Sequence, residues 1–379
     1  APILQILLAG AAVAALALGW LQLRARRQSP GHWLRALTVL TLFLTFDLVL
    51  FGAFTRLSDS GLGCPDWPGC YGNASPVGAR ADISAAQVAM PDGPVTHHKA
   101  WIEMVHRYMA TGVGALILVL TVAGWRQWQR NPARDSQVHP WWPTITLLWV
   151  CVQGAFGALT VTMKLFPAIV TLHLLGGLLL LALLTVQAQK QGQGVSGTPP
   201  VQLDAGLRSF LWLCAALLLV QLALGGWVST NYAVLVCSDF PTCQGSWWPQ
   251  MRFDQGFELW RALGMTADGA MVSFPALTAI HYTHRLMAYL VLALLFVLAW
   301  RLARIDGLRP QARWIGVLAA LQLASGLGNV VLGWPLVAAL LHTGGAAALV
   351  VVMTWTLSAS RSVPQWSGVA VNRAIGSLR

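Results

Sequence analysis

Charge is what this sequence has least of. Only 10% of its 379 residues are Asp, Glu, Lys or Arg, and just 13 are acidic. Soluble domains carry about a quarter charged residues, so this shortage along the whole chain excludes an ordinary water-exposed fold. A C-x-x-C pair is also missing from the six cysteines, which argues against a membrane thiol oxidase. The first apolar stretch, Pro2 to Leu23, has no basic segment before it and exceeds the 7–15 residue core of a signal peptide. It reads as an additional N-terminal helix that enters from outside.

What the sequence has is apolar length. Hydrophobic residues make up 56% of the chain, and the mean hydropathy is +0.61. A hydrocarbon core about 30 Å thick takes about 20 apolar residues of helix. Nine stretches qualify, at about 2–23, 33–55, 100–124, 141–163, 167–187, 209–230, 276–300, 313–334 and 336–358. With no water to satisfy the backbone inside a bilayer, these are helices. The expected fold is an all-α polytopic membrane protein with two pseudosymmetric four-helix bundles in tandem, plus one N-terminal span. The expected divisions are 1–32 for the extra helix and its basic turn, 33–190 and 208–360 for the bundles, 191–207 for a linker and 361–379 for a tail.

The net charge of +11 sorts by side. If residue 33 starts on the cytoplasmic side, sixteen Lys and Arg are cytoplasmic, six are outside, and Arg107 and Arg285 lie within helices. The bias follows the positive-inside rule and is a topology signal, not a nucleic-acid footprint. Loops 57–99 and 231–275 then face the periplasm and the C-terminus faces the cytoplasm, in an inner (plasma) membrane with lipid as the surrounding partner.

The two groups of four helices repeat one another. Gly52 stands twelve residues before Cys64, and Gly225 stands twelve before Cys237. Cys64-Pro-Asp-Trp-Pro-Gly-Cys70 matches Cys237-Ser-Asp-Phe-Pro-Thr-Cys243 in spacing. Glu103-Met-Val-His106-Arg107 matches His281-Tyr-Thr-His284-Arg285, and Gln153 and Gln322 each precede a histidine, His173 and His342, by twenty residues. Matches in one order describe a duplicated bundle with parallel repeats.

Ionisable residues inside spans are costly and point to function. His106, His173, His284 and His342 each lie about six residues inside the outer end of a span, roughly 9 Å deep at 1.5 Å per residue. Two level imidazoles on two helices can clamp a porphyrin iron from both faces, giving one haem site per half. Arg107 and Arg285 follow directly, suited either to haem propionates or to snorkelling toward headgroups. Glu103 has His281 as its counterpart; a carboxylate beside a haem can take a proton or stabilise developing positive charge, so chemistry is expected in the first half. Asp47 is open to two readings, a proton relay or pairing with a neighbouring helix. Gln153, Gln221 and Gln322 read as interhelical hydrogen-bonding residues. The pairs Cys64/Cys70 and Cys237/Cys243 read first as disulfide staples in a compartment that permits them, with a redox role open for the first. Cys151 and Cys214 read as packing residues, and His97 and His98 as loop residues without a role.

Arg56-Leu-Ser-Asp-Ser-Gly-Leu-Gly-Cys-Pro-Asp-Trp-Pro-Gly-Cys70, with Glu103-x-x-His106-Arg107 and three further membrane histidines, resembles the haem A synthase family over about residues 33–360. The resemblance implies haem b between His284 and His342, and haem O as substrate beside His106 and His173. It implies that Glu103 is needed for turnover and that the first cysteine pair contributes to activity. The C8 methyl would be hydroxylated twice, and the geminal diol would lose water to leave the formyl group of haem A. The resemblance also implies homo-oligomers and cooperation with haem O synthase; a quinol or another electron partner is left open. The rival reading is a di-haem cytochrome b that moves electrons from quinol. A haem exporter is disfavoured, because Trp247-Trp248-Pro249 is too short to be its tryptophan-rich motif.

Overall fold

The computed structural model describes residues 2–25, 29–130 and 138–362. Most of the expected tail, and the basic residues Arg26, Arg27, Arg134, Arg373 and Arg379, lie outside the described residues. Eleven α-helices are described: α1 (Pro2–Ala25), α2 (Pro30–Leu57), α3 (Arg80–Ala89), α4 (His97–Arg130), α5 (Trp141–Thr162), α6 (Pro167–Ser196), α7 (Ala205–Thr230), α8 (Phe253–Gly256), α9 (Phe274–Leu302), α10 (Arg309–Val331) and α11 (Leu336–Ala359). Nine of them, all but α3 and α8, are long and apolar enough to cross a membrane. The chain is a multi-pass membrane protein.

Local chemistry sets the helix ends. Proline occupies the first turn of α2, α6, α9 and α10, where its missing N–H is no loss. Asp204 caps α7 by accepting from the Leu207 amide at 2.9 Å, a standard N-terminal solution. α6 runs nine residues past the expected span end at 187, to a left-handed Gly197 with φ of 68°. The expected linker is therefore partly helix: Gln and Lys sustain it beyond bilayer length, and Gly197 is the first residue that stops it. Beyond Gly197 the linker holds β1 (Val201–Leu203), parallel to β2 (Ser360–Ser362) at the end of α11, and then enters α7 at Ala205. Arg208 fastens that corner, donating to the Leu357 and Ser360 carbonyls at 2.9 and 3.0 Å.

Two apolar cores hold the spans together. One gathers Ala14, Leu37, Val113, Leu116, Leu120 and Leu184 from α1, α2, α4 and α6. The other gathers Leu211, Leu295, Leu298, Ile315, Leu349 and Met353 from α7, α9, α10 and α11. A third cluster joins them, with Leu178, Leu181 and Ala347 packed against Phe46, Val49 and Leu222. α1 lies on α4, where a Cβ on Gly112 would meet Val13 Cγ1 at 3.0 Å; small residues at such crossings allow close helix approach in lipid. Large apolar side chains such as Phe43, Leu16 and Val337 stay exposed, as lipid-facing surfaces require.

Candidate haem sites

The cysteine-loop ends of the spans carry the polar chemistry. Both cysteine pairs are disulfides, Cys64–Cys70 and Cys237–Cys243, with Cα atoms 4.9 and 4.8 Å apart. Each closes a loop that folds onto a membrane helix. In the first loop the Asp66 carboxylate accepts the Tyr71 and Gly72 amides at 2.6 and 2.7 Å. In the second, Asp239 accepts the Gln244 and Gly245 amides at 2.7 and 3.0 Å, and the Thr242 hydroxyl at 2.6 Å. Asp239 lies outside the spans, and these donors, Thr242 foremost, hold its carboxyl down to about 2.

The straps to the helices differ between halves. Glu103, His106 and Arg107 share one face of α4, as their i, i+3, i+4 spacing requires. Glu103 is buried, 4% exposed; its Oε2 accepts the Cys64 amide at 2.8 Å and its Oε1 accepts Arg107 Nη2 at 2.5 Å. Arg107 Nη1 donates to the Pro68 and Gly69 carbonyls at 3.1 and 2.5 Å. In the second loop Arg285 donates to the Cys237, Asp239 and Thr242 carbonyls at 3.1, 3.0 and 2.8 Å. His281, standing where Glu103 stands, bonds through Nδ1 to the Ala233 carbonyl at 2.8 Å. Both arginines thus hold loop backbone, a partner that spacing alone does not reveal.

All four histidines follow one packing rule. Each ring turns its Cε1 edge to a glycine on a neighbouring helix. A Cβ on Gly52 would lie 3.0 Å from that atom of His106, on Gly157 3.5 Å from His173, on Gly225 2.9 Å from His284 and on Gly326 3.2 Å from His342. A side chain at Gly52, Gly225 or Gly326 would crowd the ring, while at Gly157 the contact would be an ordinary one. Phe51 also stacks on His106, with centroids 6.3 Å apart and planes 10° apart. The four histidines lie within the helical body and are half-buried. Among the described residues, no group of three or more His, Cys, Asp or Glu is placed to hold a bare metal ion. Paired imidazoles suit a macrocycle that brings its own four nitrogens, and the residues fit haem.

Other expected residues fall elsewhere. Among the described residues Asp47 forms no ion pair or hydrogen bond, and Gln153 is buried with neither amide atom partnered. Gln322 donates to the His342 carbonyl at 2.9 Å. His97 and His98 are not loop residues but open α4, which starts before its apolar span, and His97 meets Ser84 Oγ of α3 at 2.9 Å. Cys214 is buried and Cys151 is exposed, both free. A cavity of about 130 Å³ opens at the opposite end of the helices, beside Gly31, Gln187 and Gln191. Gln187 is fourteen residues from His173 along α6, roughly 21 Å by helical rise, so the cavity is not part of the histidine region. Across the halves Arg56 donates to the Ser229 carbonyl at 2.6 Å and stacks 4.0 Å over Tyr232, whose hydroxyl donates to Asp59 at 2.9 Å. Sequence reading passed over that cluster, because its members lie in different halves.

Comparison with known proteins adds an independent line. The family described as cytochrome oxidase assembly protein matches residues 35–354, a region that takes in every histidine and cysteine discussed above but not α1. A heme A synthase of Shewanella oneidensis is 36% identical over 331 residues, covering 85% of this chain and 97% of that protein. Heme A synthases of Halalkalibacterium halodurans and Caulobacter vibrioides are each 26% identical, over 78% and 88% of this chain and 86% and 96% of their own lengths. With a match across most of its length, this chain belongs to the cytochrome oxidase assembly family, alongside the haem A synthases.

Proposed function

We propose that the protein is a haem A synthase in which residues 33–190 and 208–360 form pseudosymmetric four-helix bundles with one haem site each. His284 and His342 hold haem b as a resident cofactor. His106 and His173 flank haem O, the substrate, whose C8 methyl becomes a formyl group through two hydroxylations and loss of water. Bound haem supplies the iron and the electron-transfer chemistry. The protein's own residues position, shield and handle protons.

The observation that carries this reading is the exchange of Glu103 for His281. Both carboxylate oxygens of Glu103 are strapped, one by the Cys64 amide and one by Arg107. Each oxygen keeps a further lone pair, so Glu103 can take a proton while its loop stays fastened. His281 is tied to a backbone carbonyl and serves the fold. With Nη1 of Arg107 given to the loop, its Nε edge is what remains to meet a haem propionate; the same holds for Arg285. The cysteine loops face the periplasm and the C-terminus the cytoplasm, in line with the Lys and Arg distribution. Haem O synthase supplies the substrate, a quinone or another acceptor takes the electrons, and the protein acts as a homo-oligomer.

Co-expression with a source of haem O, followed by extraction of the pigments, tests the reading. Haem A in the wild-type extract supports the synthase. Unchanged haem B together with quinol oxidation would replace it with the di-haem cytochrome b.

A further inference from the structure

The four histidines share a packing rule but not a hydrogen-bond environment. In the second half each imidazole Nδ1 has a polar side chain against it. Ser325 Oγ lies 3.0 Å from His342 Nδ1, and the same hydroxyl donates to the Leu321 carbonyl at 2.6 Å. Its hydrogen is committed there, so toward the ring it accepts. That places the imidazole hydrogen on Nδ1 and leaves the Nε2 lone pair free for a metal. The Gln221 amide lies 3.0 Å from His284 Nδ1, and its Oε1 is buried without a partner. The same amide's Nε2 donates to the His284 carbonyl at 3.2 Å, so the amide ties the Nδ1 edge of the ring to its own helix backbone.

The first half offers neither. His106 Nδ1 and His173 Nδ1 are buried with no hydrogen-bond partner among the described residues. The difference is written in the sequence. Gln221 stands four residues before Gly225, and Leu48 stands four before Gly52; Ser325 immediately precedes Gly326, and Phe156 immediately precedes Gly157. Counted from the glycine that each ring touches, the two polar braces of the second half are two apolar residues in the first.

We infer that Ser325 and Gln221 are positioning residues that make His342 and His284 permanent haem ligands, and that Phe156 and Leu48 leave the first-half histidines unbraced so that a haem there can be exchanged. This rests on the proposed assignment of cofactor and substrate to the two halves, and gives it a physical cause. A ligating histidine whose second nitrogen is hydrogen-bonded is fixed in orientation and more basic, and losing such a partner costs about 10–100-fold in metal affinity. A cofactor site gains from that brace. A site that must admit haem O and release haem A on every turnover is served by its absence.

The test uses the full-length, haem-loaded protein in detergent with Ser325→Ala, Gln221→Leu and the double variant, and Ser325→Thr as the conservative change. The readouts are the rate of haem b loss to an excess of haem-free myoglobin and the reduction potential of the second-half haem. Expected results are release faster by about 10–100-fold and a raised potential, because a less basic imidazole stabilises ferric iron less. Ser325→Thr restores both. Release and potential unchanged from wild type, in protein whose haem b is lost on His342→Ala, would overturn the brace while leaving the haem assignment intact. Haem b retained after both His284→Ala and His342→Ala would instead remove the assignment, and the brace with it.

Discussion

The two cysteine loops are built alike and fastened differently. Both close a disulfide over the end of a helix, both wrap an aspartate with backbone amides, and both are gripped by the arginine that follows a histidine. Only the first loop adds a carboxylate, Glu103, which joins its Cys64 amide to Arg107. The two loops share their spacing and their arginine grip, and under the proposed function the acid-for-imidazole exchange is what turns the first toward chemistry. The loop and the acid are one unit in the first half, whereas in the second Arg285 grips three loop carbonyls and no acid joins it.

Removing the acid is the sharpest way to break that contrast. Glu103→Ala is expected to lower haem A formation by about 10²–10⁴-fold, the usual worth of a positioned proton-transfer group, with haem b retained. Pigment extraction beside a haem b spectrum checks both halves at once. His281→Ala should leave haem A formation within a few-fold. Normal haem A output from Glu103→Ala would take the acid out of the mechanism.

The arginines come next. Arg107→Leu strands the buried Glu103 carboxylate, and breaking a buried pair from one side costs about 3–5 kcal/mol. Arg285→Leu removes hydrogen bonds to three carbonyls, as Arg107→Leu removes two, but it strands no charge, so its cost should fall below that of Arg107→Leu. Thermal unfolding in one detergent compares the two; equal losses would mean that the Glu103–Arg107 pair adds nothing beyond what the carbonyls provide.

Replacing each disulfide separates structure from turnover. Opening a loop this short loosens it by about 2 kcal/mol on the chain-entropy argument. Cys64→Ser with Cys70→Ser should therefore slow haem A formation, because the Cys64 amide is what Glu103 Oε2 holds. Cys237→Ser with Cys243→Ser should loosen the second loop and spare the reaction. Activity lost equally in both double variants would show that the loops act only as staples.

Much of this architecture is readable from residues alone, and the exceptions have causes. The nine spans follow from apolar length, yet α4 runs to Arg130 and α6 to Ser196, because bilayer thickness limits an apolar run but does not end a helix. The two disulfides follow from the repeated cysteine spacing. The use of Arg107 and Arg285 does not, since Pro68 and Asp239 come 39 and 46 residues earlier and no local spacing reveals that those loops fold back. The Glu103–Arg107 pair was signalled by its i, i+4 spacing, a cue masked by the neighbouring histidine. Ser325 carried no cue until His342 Nδ1 was seen beside it.

The mildest test concerns acid. Asp239 is held down to about 2, first by the Thr242 hydroxyl and then by the Gly245 and Gln244 amides, against about 3.9 for a free aspartate. A group depressed on folding supports the fold fully above its unfolded value and loses that support as pH falls through its folded value. The second loop should thus stay intact down to about pH 4 and loosen between there and about pH 2. Exchange protection of the Gln244 and Gly245 amides, corrected for the intrinsic effect of pH, measures this, and Asp239→Asn should abolish the dependence. Protection that is the same at pH 5 and pH 2.5 in the unaltered protein would mean that the loop is held by its disulfide and Arg285, with the aspartate only a bystander to the turn.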